Sequence, residues 1–348
     1  MMEEARIVKE EKTLLKSQYE ELKKTTDELQ IKLALKEAEE LRRKQAGDSR
    51  HMTKFSLSEI EKATQGFNES LRIGIGGYGS VYKGSLCQKE VAIKRLNSNS
   101  KQGPAEFEKE VQVLSQLSHP NIVRLIGYCS EAFMLVYEYL PNGSLEDWLK
   151  CKNKRPPLPL QARIRIAIEL CSVLIYLHSR EPHSIVHADL KPDNILLDAN
   201  LESKLGDFGM CRILCREMLS NNTTLSHFTI PKGTIPYIDP AFIYSERLTR
   251  NSDVYSFGII LLRLLTGRPA ADIAKDVQDV LDAGNLKSLL DPLAGDWPYE
   301  LVQELVHMAL RCCDRDPKNR PDLESDVMMV LERTRASWVA SSSSGLQD

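Results

Sequence analysis

Four short runs stand in one order along the chain: Gly74-Ile-Gly-Gly-Tyr-Gly-Ser-Val81, Val91-Ala-Ile-Lys94, His187-Ala-Asp-Leu-Lys-Pro-Asp-Asn194 and Asp207-Phe-Gly209. In the first, Gly74, Gly76 and Gly79, with Gly77 beside them, let backbone approach a triphosphate without side-chain interference, and Val81 follows where it can cover a base. A lone loop of this type also suits a dinucleotide-binding fold, in which the glycines open a helix. Here Val81-Tyr-Lys-Gly84 and Val91-Ala-Ile-Lys94 read as strand, so the loop joins two strands. Lys94 sits in an apolar strand, where an unpaired ammonium is costly. It is either a paired structural lysine or one that pairs with phosphates. Asp189, Asn194 and Asp207 add a base and two metal ligands. Together the runs hold every part that phosphoryl transfer from a nucleotide needs.

Such residues need elements to hold them. From Leu71 to Val91 glycines and β-formers predict an antiparallel sheet, residues 104–117 a helix, and the 3.6-residue apolar spacing beyond Pro141 a helical second half. Ahead of the sheet, Ser58 and Glu61 have capping-box spacing, Ile60 and Ala63 share a face, and Gly66 is placed to stop a short helix. Residues 1–46 contain no Gly or Pro and are crowded with Glu, Lys, Arg and Leu. Val8, Leu15, Leu22 and Leu29 recur every seven residues, but Lys12 and Thr26 weaken the companion seam. This arm reads either as a coiled coil, with a partner protein or a second copy, or as a solitary charged helix. Residues 47–54 read as a linker, 55–335 as the main domain, and 336–348 as a disordered Ser-rich tail.

The chain has 348 residues, a net charge of −3 and 42% hydrophobic residues, enough for a sizeable core and without the basic excess of a nucleic-acid binder. Its N-terminus lacks the apolar stretch of a signal peptide, and no apolar run approaches a membrane span. The expectation is a soluble, cytoplasmic protein with no nucleic acid partner. Eight cysteines are scattered without a CxxC pair, which predicts reduced packing residues, with Cys211 and Cys215 as the pair that redox chemistry could reach.

The four ordered runs resemble the signature set of protein kinases. The resemblance implies a two-lobed α+β fold, with a sheet and one helix first and a helical lobe second, and ATP- and Mg²⁺-dependent phosphorylation of Ser or Thr in protein substrates. It implies roles residue by residue. Lys94 pairs with phosphates and with Glu110, while Glu106 and Glu108 face solvent. Asp189 receives the hydroxyl proton, Lys191 neutralises the γ-phosphate, and Asn194 and Asp207 hold metal. Ile73 and Val81 roof the adenine, Ala92 and Leu196 touch it, Tyr137 stands at the gatekeeper position, and Glu138 and Leu140 line the hinge. Lys191 and Thr234 are of the Ser/Thr type.

Outside the site, Pro141-Asn-Gly-Ser-Leu145, Tyr237-Ile-Asp-Pro240 and Ser252-Asp-Val-Tyr-Ser-Phe-Gly258 look like plant receptor-like cytoplasmic kinases. His187-Ala-Asp189 and residues 261–270 are similar to the kinase domains of plant U-box proteins. Only 27 residues follow Pro321, so no U-box is expected in this chain. Two positions depart from the pattern. Ala188 replaces an arginine that clamps an activation-segment phosphate. Ala241 replaces a glutamate expected to pair with Arg320, leaving that cation without its partner unless Glu246 or another acid substitutes. This keeps open a different reading, an ATP-binding pseudokinase or scaffold of the U-box family that uses the arm to bind partners.

Overall fold

A computed structural model describes residues 52–344 apart from 77–78, 98–102, 182, 215–225, 296 and 298. The arm 1–46, Gly77, Cys215, Ser220, Thr223 and Thr224 therefore lie outside the described residues. The first lobe is a six-stranded sheet: β1 (Thr53–Lys54), β2 (Arg72–Gly76), β3 (Gly79–Leu86), β4 (Lys89–Leu96), β5 (Leu125–Cys129) and β6 (Met134–Glu138), in the spatial order β1-β5-β6-β4-β3-β2. All neighbours pair antiparallel except β1, which runs parallel to β5.

Period-two alternation sorts its side chains. Leu86, Val91, Ile93, Met134 and Val136 pack on one face with Phe55 and Ile60 of the N-terminal segment, and helix α1 (Leu57–Ala63) covers them. Leu96, Leu135 and Tyr137 belong to the other face, which helix α2 (Gly103–Leu114) covers with Phe107, Val113 and Leu114. The apolar spacing extends the predicted helix to Leu117, but the chain turns after Leu114.

Two expectations for the N-terminal segment need correction. The linker 47–54 does not run free to its end, because Thr53 and Lys54 form β1 against Gly127 and Tyr128. A Cβ on Gly127 would lie 2.1 Å from the Thr53 carbonyl oxygen, so the pairing depends on glycine there. The capping box is Ser56–Glu59, with Ser56 N–H donating to Glu59 Oε2 at 2.8 Å and Glu59 N–H to Ser56 Oγ at 3.3 Å. Ser58 and Glu61 have the same spacing. Phe55 decides between the two pairs: its N–H donates to Tyr128 O at 2.9 Å and its ring is buried, so the chain leaves the sheet at 55. Gly66 stops the helix as its φ of 70° allows, donating its N–H to Glu61 O.

The second lobe is helical, centred on α3 (Leu145–Leu149), α4 (Leu160–His178), α5 (Pro240–Ser245), α6 (Arg250–Thr266), α7 (Ile273–Asp282), α8 (Tyr299–Cys312) and α9 (Met329–Ser344). Helix α6 is buried almost throughout and α4 and α8 pack on it. Two short strands between the lobes, β7 (Ile195–Leu197) and β8 (Ser203–Leu205), form a hairpin beneath the first lobe. The disordered tail expected over 336–348 is instead helix as far as Ser344, with 345–348 outside the described residues. No Gly or Pro interrupts the chain from Asp322 to Ser344. Buried Thr334 and the packing of Trp338 on the core anchor this helix, and serine opposes it only weakly.

Among the described residues no helix is long and apolar enough to cross a membrane. The described cysteines are free thiols. Cys211 does not suit redox chemistry: it is fully buried, and burial pushes its thiol up to about 12.

Candidate active site

A cavity of about 1030 Å³ opens between the sheet and the helical lobe, large enough for a nucleotide-sized ligand. Its roof is the β2–β3 hairpin, where Gly74 faces Val81 and Gly76 faces Gly79 across an antiparallel pair. Gly79 has φ 149°, and a Cβ there would lie 2.0 Å from the Arg95 carbonyl oxygen. No other residue fits that position. Ile73, Val81 and Ala92 line the upper wall, Tyr137, Glu138 and Leu140 the back and hinge, and Leu196 the floor. The Glu138 carboxylate accepts from Lys204 Nζ at 3.0 Å and from Arg124 N–H at 2.8 Å, which ties β6 to β8 below it.

Deeper in, Lys94 Nζ lies 3.0 Å from Glu110 Oε2 and 2.7 Å from Asp207 Oδ1. Burial opposes the ammonium charge, but the two carboxylates outweigh it and hold the amine above its ordinary range. Asp207 is likewise held below its ordinary range, since the charge and hydrogen bond of Lys94 outweigh the effect of burial. Its backbone is left-handed, with φ 59°. Glu110 is fully buried, and its other oxygen, Oε1, accepts from the Tyr137 hydroxyl at 2.5 Å. Tyr137 is thus a core aromatic of the sheet as well as part of the cavity wall. Glu106 does not face solvent freely: it is half-buried, and burial raises its carboxyl. Glu108 is exposed.

Asp189 does not itself line the cavity. It lies just beneath the floor, 5% exposed, at the centre of a polar cluster whose other members do. Lys191 Nζ donates to Asp189 Oδ2 at 2.7 Å and to Thr234 Oγ1 at 2.8 Å, and the Thr234 hydroxyl donates to Asp189 Oδ1 at 2.8 Å. Asn194 Nδ2 donates to the Asp189 carbonyl at 2.8 Å and to Asp189 Oδ2 at 3.2 Å, which leaves the side-chain oxygen Oδ1 as the acceptor of that amide. Asp253 of buried α6 holds this loop from below, accepting from His187 N–H at 2.9 Å, Ala188 N–H at 3.0 Å and His178 Nε2 at 3.0 Å. Ala188 adopts φ 66°, a conformation that costs a residue with a Cβ about 1–2 kcal/mol.

Among the described residues no group of three or more His, Cys, Asp or Glu could hold a metal alone. The carboxylate of Asp207 and the amide of Asn194, both on the cavity, form the sparse oxygen set that suits Mg²⁺, which completes its shell with phosphates and water. Asp147, Lys152, Arg155 and Asp193, none of them expected at the site from sequence, also line the cavity. Asp193 lies inside the run ending at Asn194, which was a usable signal. Asp147 had none, because only the fold of α3 brings it there.

The position of Arg320 corrects the expectation of an unpartnered cation. Its side chain is fully buried and meets Asp239, not Glu246: NH1 donates to Asp239 Oδ2 at 2.8 Å and NH2 to Asp239 Oδ1 at 2.7 Å. Nε donates to Asp314 O at 2.9 Å and NH1 also to Asn251 O at 2.7 Å.

The model of the protein kinase domain matches residues 67–331. U-box domain-containing protein 33 of Arabidopsis thaliana is 54% identical over 333 residues, which are 94% of this chain and 39% of that protein. U-box domain-containing protein 70 of Oryza sativa subsp. japonica is 49% identical over 89% of the chain and 39% of its own length. U-box domain-containing protein 32 of Arabidopsis thaliana is 42% identical over 91% of the chain and 38% of its own. The chain therefore spans about two fifths of the length of these curated relatives.

Proposed function

The chain belongs to the protein kinase family, and on that premise we propose that it transfers the γ-phosphoryl group of ATP, with Mg²⁺, to Ser or Thr hydroxyls of proteins. The observation that carries this reading is the polar cluster around Asp189, set beneath the cavity opposite the Lys94–Glu110–Asp207 ion group. Asp189 accepts and orients the hydroxyl proton of the substrate. Lys191, already within reach of Asp189, compensates charge on the phosphoryl group as it moves. Thr234 bridges both and shapes the cavity for an aliphatic hydroxyl. Lys94, positioned by Glu110, pairs with the nucleotide phosphates, while the glycine hairpin and Val81 cover them and the base. Asn194 and Asp207 are the residues that would hold Mg²⁺, which when bound would supply compensation of phosphate charge there.

The rival reading, a nucleotide-binding scaffold, drew its weight from Ala241. The bidentate pairing of Arg320 with Asp239 removes that support. We assign the activity to plant intracellular signalling beside ubiquitin ligation, and the chain to the cytoplasm; the similarity to relatives named for a U-box domain supports this reading. The arm 1–46 would reach a coiled-coil partner or a second copy. Purified protein with labelled ATP, Mg²⁺ and a generic protein substrate tests the reading. Asp189→Asn abolishes transfer while ATP binding persists, and Lys94→Met serves as the inactive control. Wild-type turnover by Asp189→Asn would refute the site. Nucleotide binding without transfer by the wild type would establish the scaffold.

A further inference from the structure

Among the described residues five cations line the cavity: Arg72, Lys94, Lys152, Arg155 and Lys191. Lys94 and Lys191 are paired as described above. Arg72 holds Glu69 at 2.7 Å, and Lys152 holds Asp147 at 3.0 Å. Arg155 differs, since among the described residues no carboxylate forms an ion pair with it. Its guanidinium is fixed nonetheless. NH1 donates to the Asn142 carbonyl at 2.7 Å, the same oxygen that accepts from Trp148 Nε1, and Cζ stands 5.3 Å from the Trp148 ring centroid. The backbone is stiff as well, because Arg155 N–H donates to Lys152 O and Pro156 and Pro157 follow. Only one of the five guanidinium N–H groups is thus engaged within the protein.

We propose that Arg155 determines substrate specificity, selecting proteins that carry an anionic side chain, a carboxylate or a phosphate, close to the acceptor hydroxyl. The inference rests on the kinase reading above. Its position decides what it can meet. Lys94 faces Leu135 within the sheet, inside the hinge, so the nucleotide phosphates belong at that end. Arg155 stands past the hinge, where a Cβ on Gly143 would lie 3.6 Å from its NH2. The same wall continues through α3 to the turn 192–194, against which that helix packs, and so to Lys191 and Asp189. A protein segment that offers a hydroxyl to Asp189 passes this wall. Asp193 on that turn does not compete for the guanidinium, since Lys191 and Lys150 are the cations that act on it. A planar fork receives either anion through two parallel N–H···O bonds, and one already held by Trp148 loses little freedom on binding.

The test uses the full chain and a neutral peptide with a single threonine acceptor, along which one aspartate is moved a position at a time. At one position kcat/KM should exceed that of the matched asparagine peptide about tenfold, the scale of one charge-assisted pair. Phosphoserine at that position tells the two anions apart: a larger gain than aspartate gives identifies a phosphorylated substrate, a smaller one an acidic sequence. Arg155→Gln should erase the preference, and Arg155→Glu should turn it towards lysine, a reversal that lost packing on Trp148 would not produce. Should these variants fail to fold, Arg155→Lys, which keeps a stem on Trp148 but not the fork, should cut the preference severalfold. Equal kcat/KM for aspartate and asparagine at every position would overturn the proposal, as would a full preference surviving in Arg155→Gln or Arg155→Lys. So would a loss confined to KM for ATP, which would make Arg155 a nucleotide contact. A wild type that phosphorylates no peptide would overturn the kinase reading instead, and fluorescence anisotropy of the labelled aspartate peptide with wild type and Arg155→Gln would still judge Arg155.

Discussion

Removing the acid opposite Arg320 should cost far more than restoring a glutamate at Ala241 gains. Arg320 has five N–H groups, and four hydrogen bonds already engage all three of its nitrogens: two to Asp239, one to Asn251 and one to Asp314. Its side chain is fully buried, and that of Asp239 is 2% exposed. Asp239→Asn replaces a paired carboxylate by a neutral amide and leaves a guanidinium buried without a counter-charge. Breaking a buried pair in this way costs about 3–5 kcal/mol. Asp239 also caps α5, its Oδ1 accepting from Ala241 N–H at 2.9 Å, and an asparagine keeps that cap, so the loss reports the ion pair. For a domain of this size the shift in Tm is about 10 °C. Ala241→Glu, by contrast, finds the guanidinium already satisfied and should stay within about 0.5 kcal/mol of wild type. Urea and thermal denaturation of the two variants and the wild type decide the matter. Stabilisation by Ala241→Glu of more than about 1 kcal/mol together with a mild loss in Asp239→Asn would refute the Arg320–Asp239 pair as the buried counter-charge.

Three other outcomes are expected. Burial and the charges of Arg212 and Lys232 push the Lys109 amine down to about 8 from 10.5. The unfolded chain therefore holds that proton more tightly, and the penalty is full below pH 8 and fades as pH rises towards 10.5. Lys109→Met should stabilise the protein by about 1–3 kcal/mol at pH 7 and by progressively less in alkali, as urea titrations at several pH values would show. At Gly258 on α6, an added Cβ would lie 2.6 Å from Cys312 Cβ and 2.9 Å from the Ala309 carbonyl oxygen. Gly258→Ala should lower stability by about 1–3 kcal/mol, leaving nucleotide affinity unchanged in calorimetry. If residues 1–46 pair through Leu15, Leu22 and Leu29, light scattering should find a dimer for the full chain and a monomer for a chain starting at Thr53, and Leu22→Lys should dissociate the dimer. Equal monomeric masses would reject that pairing.

Some of this protein is written in local pattern. The alternation of Val91, Ala92, Ile93 and Lys94 sends apolar groups to one face and the lysine to the cleft, because strand side chains repeat every two residues. Glycines spaced along a hairpin leave room for close backbone approach, and the run His187 to Asn194 carries a carboxylate, a lysine and an amide that one turn brings together. The kinase fold was legible from these runs because each is contiguous. The spacing rule could not choose between Ser56–Glu59 and Ser58–Glu61, since both satisfy it, and only the burial of Phe55 fixed where the helix begins. Nor could it set the end of the last helix, where Trp338 finds a surface that composition does not reveal.

Pairings between distant elements were decided by tertiary structure alone. Asp239 meets Arg320 across 81 positions, and Tyr137 meets Glu110 across 27. Asp147 reaches the cavity because α3 packs against the turn 192–194 and the strand Ile195–Leu197. A charged or hydroxyl group announces in sequence that it needs a partner, because burying it unpaired is costly. Which partner it finds depends on where two elements cross, and that is set by the packing of the whole core.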